Sequence, residues 1–286
     1  SLKSLIDFAT YKTGRTPKDI LFVEITKDWL EKYENYMVDT LNRSRTTVSM
    51  YLRALRTIFN NALQENEIDR EHYPFGAKKY QIPAVKNVKK ALSQNQLKQL
   101  HDAIPTNEEQ QKAKDFWFFS FACNGMNMKD IALLRWSDLD GDQLLFYRAK
   151  TITTSKKNLV PVTVYLTDFS KSVIAKYGSQ SRDPKQFIFP ILNASQTKEE
   201  QHNQIKNFTR FVNQNFKRLA ENAGIDEKIS TYWARHSFAT SAIRNGASIE
   251  FVSEALSHSD MKTTKAYFGG FEENSKRDLM NTLMGF

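Results

Sequence analysis

Through most of the chain, apolar residues recur every three or four positions, the period of a helix that buries one face. Over 26–37 the apolar positions are Trp29, Leu30, Tyr33, Tyr36 and Met37, with Thr26 placed as the N-cap. The next helix carries a stripe of Val48, Leu52, Leu55, Ile58, Phe59 and Ala62, capped by Ser44 or Thr46. Residues 1–85 therefore read as helical with short loops. Pro74, Gly76 and Pro83 punctuate the next stretch, and helices resume from Ala91. Ser93 with Gln96 three residues on is a capping box. The apolar segment 113–123 predicts a central helix, Asn124-Gly125 breaks it, and 129–136 reads as a further helix. Asp140-Gly141-Asp142 is a turn, after which 143–149 and 159–164 are strand-like runs joined by a polar tip at 151–158. Helices are expected near 168–177, 202–223, 234–245, 249–257 and 263–268, with Gly224 and Gly246 as stops. Leu279, Met280, Leu283, Met284 and Phe286 keep helical spacing in the tail. The sequence thus predicts a mainly α fold with a small β-sheet, and it shows no internal repeat or low-complexity tract.

Charge narrows the class. The 286 residues carry a net charge of +9 with 40% hydrophobic residues, enough for a core and a balance that favours an anionic partner, nucleic acid before a membrane surface. The basic residues are not spread evenly. Arg43, Arg45, Arg53 and Arg56 gather around one helix, and 78–90 holds Lys78, Lys79, Lys86, Lys89 and Lys90 with no acidic residue. The first group reads as phosphate or groove contacts, the second as a basic linker between two domains. Cys123, the one cysteine, lies in an apolar run and reads as a small buried hydrophobe. No apolar run approaches ~18 residues and no leader precedes the first helix, so a cytoplasmic protein without membrane association is expected. The chain opens apolar from its second residue, so natural residues are expected to be missing there.

Familiar catalytic motifs are absent from the sequence: no phosphate-binding loop, no dinucleotide glycine fingerprint, no zinc-type histidine or cysteine pair, no clustered carboxylates. No metal or other cofactor is expected. The late residues suit a different chemistry. Arg235 lies in Ala234-Arg235-His236-Ser237-Phe238-Ala239-Thr240, and His258 comes 23 residues later in Leu256-Ser257-His258, nine before Tyr267. Metal-free phosphodiester transfer needs cations and hydrogen-bond donors on the non-bridging oxygens, an acid for the leaving oxygen and a nucleophile, and these residue types supply them.

These segments, with Thr263-Thr264 in register and 124–139 as a first box, resemble the tyrosine recombinases, or phage-type integrases. In character they are closest to integrases of Bacteroidetes mobile elements. The resemblance covers most of the chain. It implies a helical, SAM-like core-binding domain over 1–85, a linker at 86–90, a catalytic domain over 91–286 and a tail helix at 271–286. It implies that Tyr267 is the nucleophile forming a 3′-phosphotyrosine, Arg235 clamps the scissile phosphate, His258 hydrogen-bonds it, and Lys150 is the general acid, with Lys156 and Lys157 as rivals. It also implies a homotetramer on double-stranded DNA with exchanged C-terminal helices, two domains clamped on the duplex, strand exchange through a Holliday junction, and accessory DNA-bending proteins.

Two positions depart from the family pattern. Asn127 stands where the first box has arginine, and Tyr232 where a histidine usually precedes Arg235 by three. Loss of one preorganised cation costs on the order of 3 kcal/mol, or ~10²–10³ in rate. Arg135, Arg148 and Lys129 are substitutes by neighbourhood. The competing readings are a binding-only member of the family, a type IB topoisomerase-like enzyme and, last, a basic membrane-surface protein.

Overall fold

The computed structural model describes residues 2–84, 91–154, 160–258, 260–265, 267, 280–282 and 284. It divides into two compact units, Ser1–Val88 and Lys89–Phe286. Lys86, Lys89 and Lys90, the rivals Lys156 and Lys157, and most of the tail helix expected at 271–286 lie outside the described residues.

The first unit is built from α1 (Leu2–Thr13), α2 (Lys27–Asn35) and α3 (Arg45–Gln64). The side chains of Thr26 and Ser44 accept from the backbone N–H of Trp29 and Thr47, so both helices start at the caps the sequence marks. Leu5, Phe8, Trp29, Leu30, Tyr33, Met37, Val48, Leu52, Leu55 and Phe59 close one core. Ile58 is the exception: it is 53% exposed, because it lies on the outer side of α3 from Leu55 and Phe59. Beyond Asn35 the helix widens into a π-helical segment, Tyr36–Thr40, which the apolar spacing did not signal.

The second unit surrounds α5 (Glu108–Ala122), the expected central helix, which comes after α4 (Gln94–Asp102). Ser93 and Gln96 form the expected capping box. Trp117, fully buried in α5, stacks on Phe216 with centroids 4.6 Å apart and donates through its indole N–H to the Ser230 carbonyl. Cys123 is buried as expected, and burial pushes its thiol up to about 12.

The first box is where expectation and structure part. The helix α6 spans only Met128–Leu133, not 129–136 or the whole of 124–139. Asn124 and Gly125 have φ of +55° and +64°, which no helix accepts. After Leu133 the chain is drawn out, because the Leu134 carbonyl accepts from the Ile188 N–H and Arg135 bridges to Phe187.

The sheet is smaller than the strand-like runs. It consists of β1 (Leu139–Asp140), β2 (Gln143–Phe146) and β3 (Val162–Tyr165), antiparallel in that order, with Leu144 opposite Val164 and Phe146 opposite Val162 facing the core. After Phe146 the chain enters α7 (Ala149–Thr154), so Lys150 sits in the first turn of a helix rather than at a strand end. A carboxylate from another element explains this: Asp130 of α6 accepts from the Ala149 N–H at 2.9 Å and caps the new helix.

The remaining elements are α8 (Asp168–Tyr177), α9 (Lys198–Asn222), α10 (Thr231–Arg244), α11 (Ile249–Ala255) and α12 (Met261–Lys265). The helix α9 starts a turn earlier than expected, at a capping box of Thr197 and Glu200. The expected mainly helical fold with one small antiparallel sheet is thus present.

Candidate active site

Helical spacing in α10 places Tyr232, Arg235, His236 and Ala239 on one face. Arg235 is 4% exposed. Its Nη1 donates to the Gly125 carbonyl at 3.2 Å, and its Nη2 donates to the Leu256 carbonyl. Nη2 also lies 3.2 Å from His258 Nε2. Since a guanidinium can only donate, Nε2 is the accepting nitrogen and the imidazole proton sits on Nδ1. Nδ1 then donates to Thr264 Oγ1 at 2.8 Å. That assignment needs a neutral imidazole. Burial, then the charges of Arg235, Arg148 and Lys150, lowers the His258 pKa to about 4, which keeps it neutral at physiological pH.

Gly125 makes this arrangement possible. A Cβ there would lie 2.6 Å from the Arg235 Cα, and its φ of +64° suits glycine. Gly125→Ala is therefore expected to cost about 2–4 kcal/mol, from left-handed strain plus overpacking against helix backbone. The urea midpoint of the purified variant measures this, and a midpoint within error of the parent would refute it. Ser257, next to His258, also has positive φ, +49°, which turns the Leu256 carbonyl to the arginines.

Arg148 completes the cationic group. Its Nη1 donates to the same Leu256 carbonyl at 2.8 Å and to the Ser257 carbonyl at 3.3 Å. Its Nε lies 3.9 Å from Asp130 Oδ2, yet is buried with no hydrogen-bond partner. Asn127 donates from Nδ2 to Asp130 Oδ2 at 3.5 Å. Asn127 and Arg148 thus meet on one carboxylate. Of the three cations near the first box, Arg148 is the one that contacts the same carbonyl as Arg235. Arg135 is turned away: it donates to the Lys185 carbonyl and covers the Phe187 ring at 4.5 Å. Lys129 is exposed on α6. Among the described residues, no carboxylate pairs with Arg235, and Arg148 is the second-largest cause, after burial, lowering its pKa. Two guanidiniums on one carbonyl, one of them buried, form a site that an anion would relieve.

Tyr267 stands at its edge. It is 9% exposed, on a floor of Ala239, Val252 and Leu256. Its hydroxyl lies within hydrogen-bonding reach of Tyr232 and Arg235. Burial, then Tyr232, raises its pKa to about 12, against the opposing charge of Arg235. The phenol is therefore protonated at rest. Tyr232 is 47% exposed beside it. Lys150 is exposed, and close enough for its charge to act on His258. The structure therefore gathers Arg235, His258, Tyr267, Tyr232 and Lys150, and reaches Asn127 through Asp130. Sequence reasoning assigned no role to Thr264 or Asp130 and left Arg148 as one of three. The Thr263-Thr264 pair was a signal for the first.

The chain matches the phage integrase family profile over residues 90–273 and a phage integrase SAM-like domain over 1–82. The chain belongs to the phage integrase family. It is accordingly an enzyme of site-specific DNA strand exchange. Relatives include the tyrosine recombinase XerC of Pediococcus pentosaceus, 24% identical over 82% of this chain and 74% of that protein. XerA of Thermococcus kodakarensis is 24% identical over 85% of this chain and 79% of that protein. The fold is shared with the Tn1549 transposon integrase in complex with a circular intermediate DNA, at TM-score 0.64 and 14% identity over 99% of both chains. It is also shared with a lambda integrase dimer bound to a core site, at TM-score 0.60 and 15% identity over 96% of this chain and 92% of that one.

The basic residues expected to touch DNA from the first unit are not all open. Arg43, Arg45, Arg53 and Arg56 are exposed on and just before α3, and Arg45 has only a 4.0 Å approach to Glu34. Lys78 is exposed as well. Lys79 is engaged otherwise: its ammonium donates to the carbonyls of Arg70, Glu71 and Tyr73, closing the turn at Arg70–His72. All three ammonium donors are used there, so Lys79 braces its loop instead of presenting an open charge. Among the described residues, no helix is long and apolar enough to cross a membrane.

Proposed function

We propose that this integrase cleaves double-stranded DNA with Tyr267 as nucleophile and with Arg148 in place of the first-box arginine. The observation that carries the reading is the buried guanidinium of Arg235, unpaired by any described carboxylate, beside the Tyr267 hydroxyl and the accepting imidazole of His258. A scissile phosphate would take that place. Arg235 and Arg148 would bear on its non-bridging oxygens, where charge grows in the transition state. The phosphate's arrival removes part of the repulsion between the two cations. His258 would take up a proton from solvent at Nε2, which the phosphate's negative charge favours, and exchange its Arg235 contact for a bond donated to a phosphate oxygen. Tyr267 Oη would form a bond to phosphorus as the bond from phosphorus to the 5′-oxygen breaks. The phenolic proton goes to solvent past the half-exposed Tyr232, and Lys150 protonates the departing 5′-oxygen. Reversal by a second 5′-hydroxyl rejoins the strand and conserves the bond energy.

Arg43, Arg45, Arg53, Arg56 and Lys78 are proposed as phosphate or groove contacts, and Lys86, Lys89 and Lys90 as further backbone contacts. The proposed substrate is the end sequence of a mobile element of the Bacteroidetes type, acted on by a tetramer with exchanged C-terminal helices. A plasmid carrying two copies of the element junction tests this reading, incubated with the protein and a chelator. Recombinant circles are expected only with both copies present. Relaxation of any supercoiled plasmid without a recombinant product would favour the topoisomerase-like reading instead.

A further inference from the structure

We infer that His236 is the positioning residue that holds the ring of Tyr267 in its seat for attack. The inference rests on Tyr267 being the nucleophile, as proposed above. Arg235 and His236 are neighbours on α10 with different tasks. Arg235 is spent on the Gly125 and Leu256 carbonyls and on His258. The His236 ring packs against two tyrosines. Its centroid lies 4.6 Å from that of Tyr267, at an interplanar angle of 47°, and 4.6 Å from Tyr232, at 76°. His258 is nearly parallel to the phenol, at 5.7 Å and 15°. Tyr267 therefore packs against two imidazoles and against Ala239, Val252 and Leu256.

Among the described residues, the backbone that leads to Tyr267 is a short helix and a turn. The helix α12 has five residues, and Tyr267 follows it on a turn bond from its N–H to the Thr264 carbonyl at 3.0 Å. A helix that short has little stability of its own, so the direction of the phenol depends on what packs against the ring. His258 must hold Arg235 and Thr264, and its orientation is set by those bonds. His236 is the other ring in contact, on a fourteen-residue helix that is anchored through Arg235 and through the Ser237 hydroxyl accepting from the Leu92 N–H at 3.0 Å. It carries the rigidity of α10 to the phenol. Its ring meets the Tyr267 ring at a tilt, and the hydroxyl has Tyr232 and Arg235 as neighbours. The role is therefore one of orientation, and a ring of similar size should serve.

The test compares His236→Ala with His236→Phe. Single-turnover formation of the covalent complex on a nicked duplex is measured beside DNA affinity. Misplacing a reacting atom by about 1 Å costs roughly 10²-fold. His236→Ala is expected to slow covalent attachment by about 10- to 100-fold with DNA affinity unchanged, and His236→Phe to recover the rate to within about 3-fold. Equal impairment of both variants would overturn the inference in favour of proton transfer by the imidazole, and a parental rate in His236→Ala would overturn it outright. A second readout needs no activity. Protein labelled with fluorotyrosine gives a fluorine resonance for position 267, assigned by its loss in Tyr267→Phe. His236→Ala should move and broaden that resonance while His236→Phe keeps it narrow, and an unmoved resonance in His236→Ala contradicts the inference. If the parent forms no covalent complex, the strand-cleavage reading fails, and the resonance still decides whether His236 seats the ring.

Discussion

Tyr267→Phe is expected to abolish covalent attachment to DNA, with a loss of at least about 10⁴-fold, and to leave DNA affinity unchanged. The size of the effect comes from the chemistry, because no step can proceed through a ring without its oxygen. The selectivity comes from the packing. Phenylalanine keeps the contacts with His236, His258 and the floor of Ala239, Val252 and Leu256. The buried hydroxyl it removes is held by Tyr232 and Arg235, both of which can bond water or phosphate instead. Stability should accordingly stay close to that of the parent. A gel of the parent and the variant on a nicked duplex, with affinity measured in parallel, checks both halves. A binding-only protein would give no band in either lane and equal affinity in both.

Arg148→Ala should produce the second largest loss. Removing one preorganised donor to a developing oxyanion costs about 2.7–4 kcal/mol, or roughly 10²–10³ in rate. The same change strips the partner from Asp130, which is 5% exposed, and a buried carboxylate left without its cation is itself destabilising. These two effects separate in the double variant. Asn127 already touches Asp130, so Asn127→Arg in the Arg148→Ala background returns a guanidinium to the same carboxylate from the neighbouring element. Partial recovery of both the cleavage rate and the urea midpoint is expected. If the double variant regains stability but no rate, Arg148 acts on the phosphate from a direction position 127 cannot reach. If Arg148→Ala alone cleaves at the parental rate, the substitution of Arg148 for the first-box arginine is wrong.

Features decided by local chemistry were legible in the sequence. Thr26, Ser44 and Ser93 cap helices because a short oxygen-bearing side chain at the right offset answers an orphan N–H, with no help from distant residues. The cluster of Arg235, His258 and Tyr267 was legible because its spacing is borne by consecutive elements, α10 to α12. Elements decided by distant partners were not. The strand-like run at 143–149 stops at Phe146 because Asp130, on another helix, caps α7 at Ala149. The helix at 129–136 is cut short because residues 186–188 pair with the chain beyond Leu133. Lys79 looked like one more basic contact, and three carbonyls of its own loop take its ammonium. Arg148 is the instructive case. No periodicity links it to Arg235, since the two meet at the Leu256 carbonyl beyond the end of α11.

The most direct test of the central claim is the chemical identity of the attachment. The protein is trapped on a nicked duplex, the DNA is trimmed with nuclease, and the tryptic peptides are sequenced by mass spectrometry. The account predicts that the peptide containing Tyr267 carries a nucleotide through its 3′-phosphate. An adduct on Tyr232, or no adduct in protein that binds the duplex tightly, would contradict it.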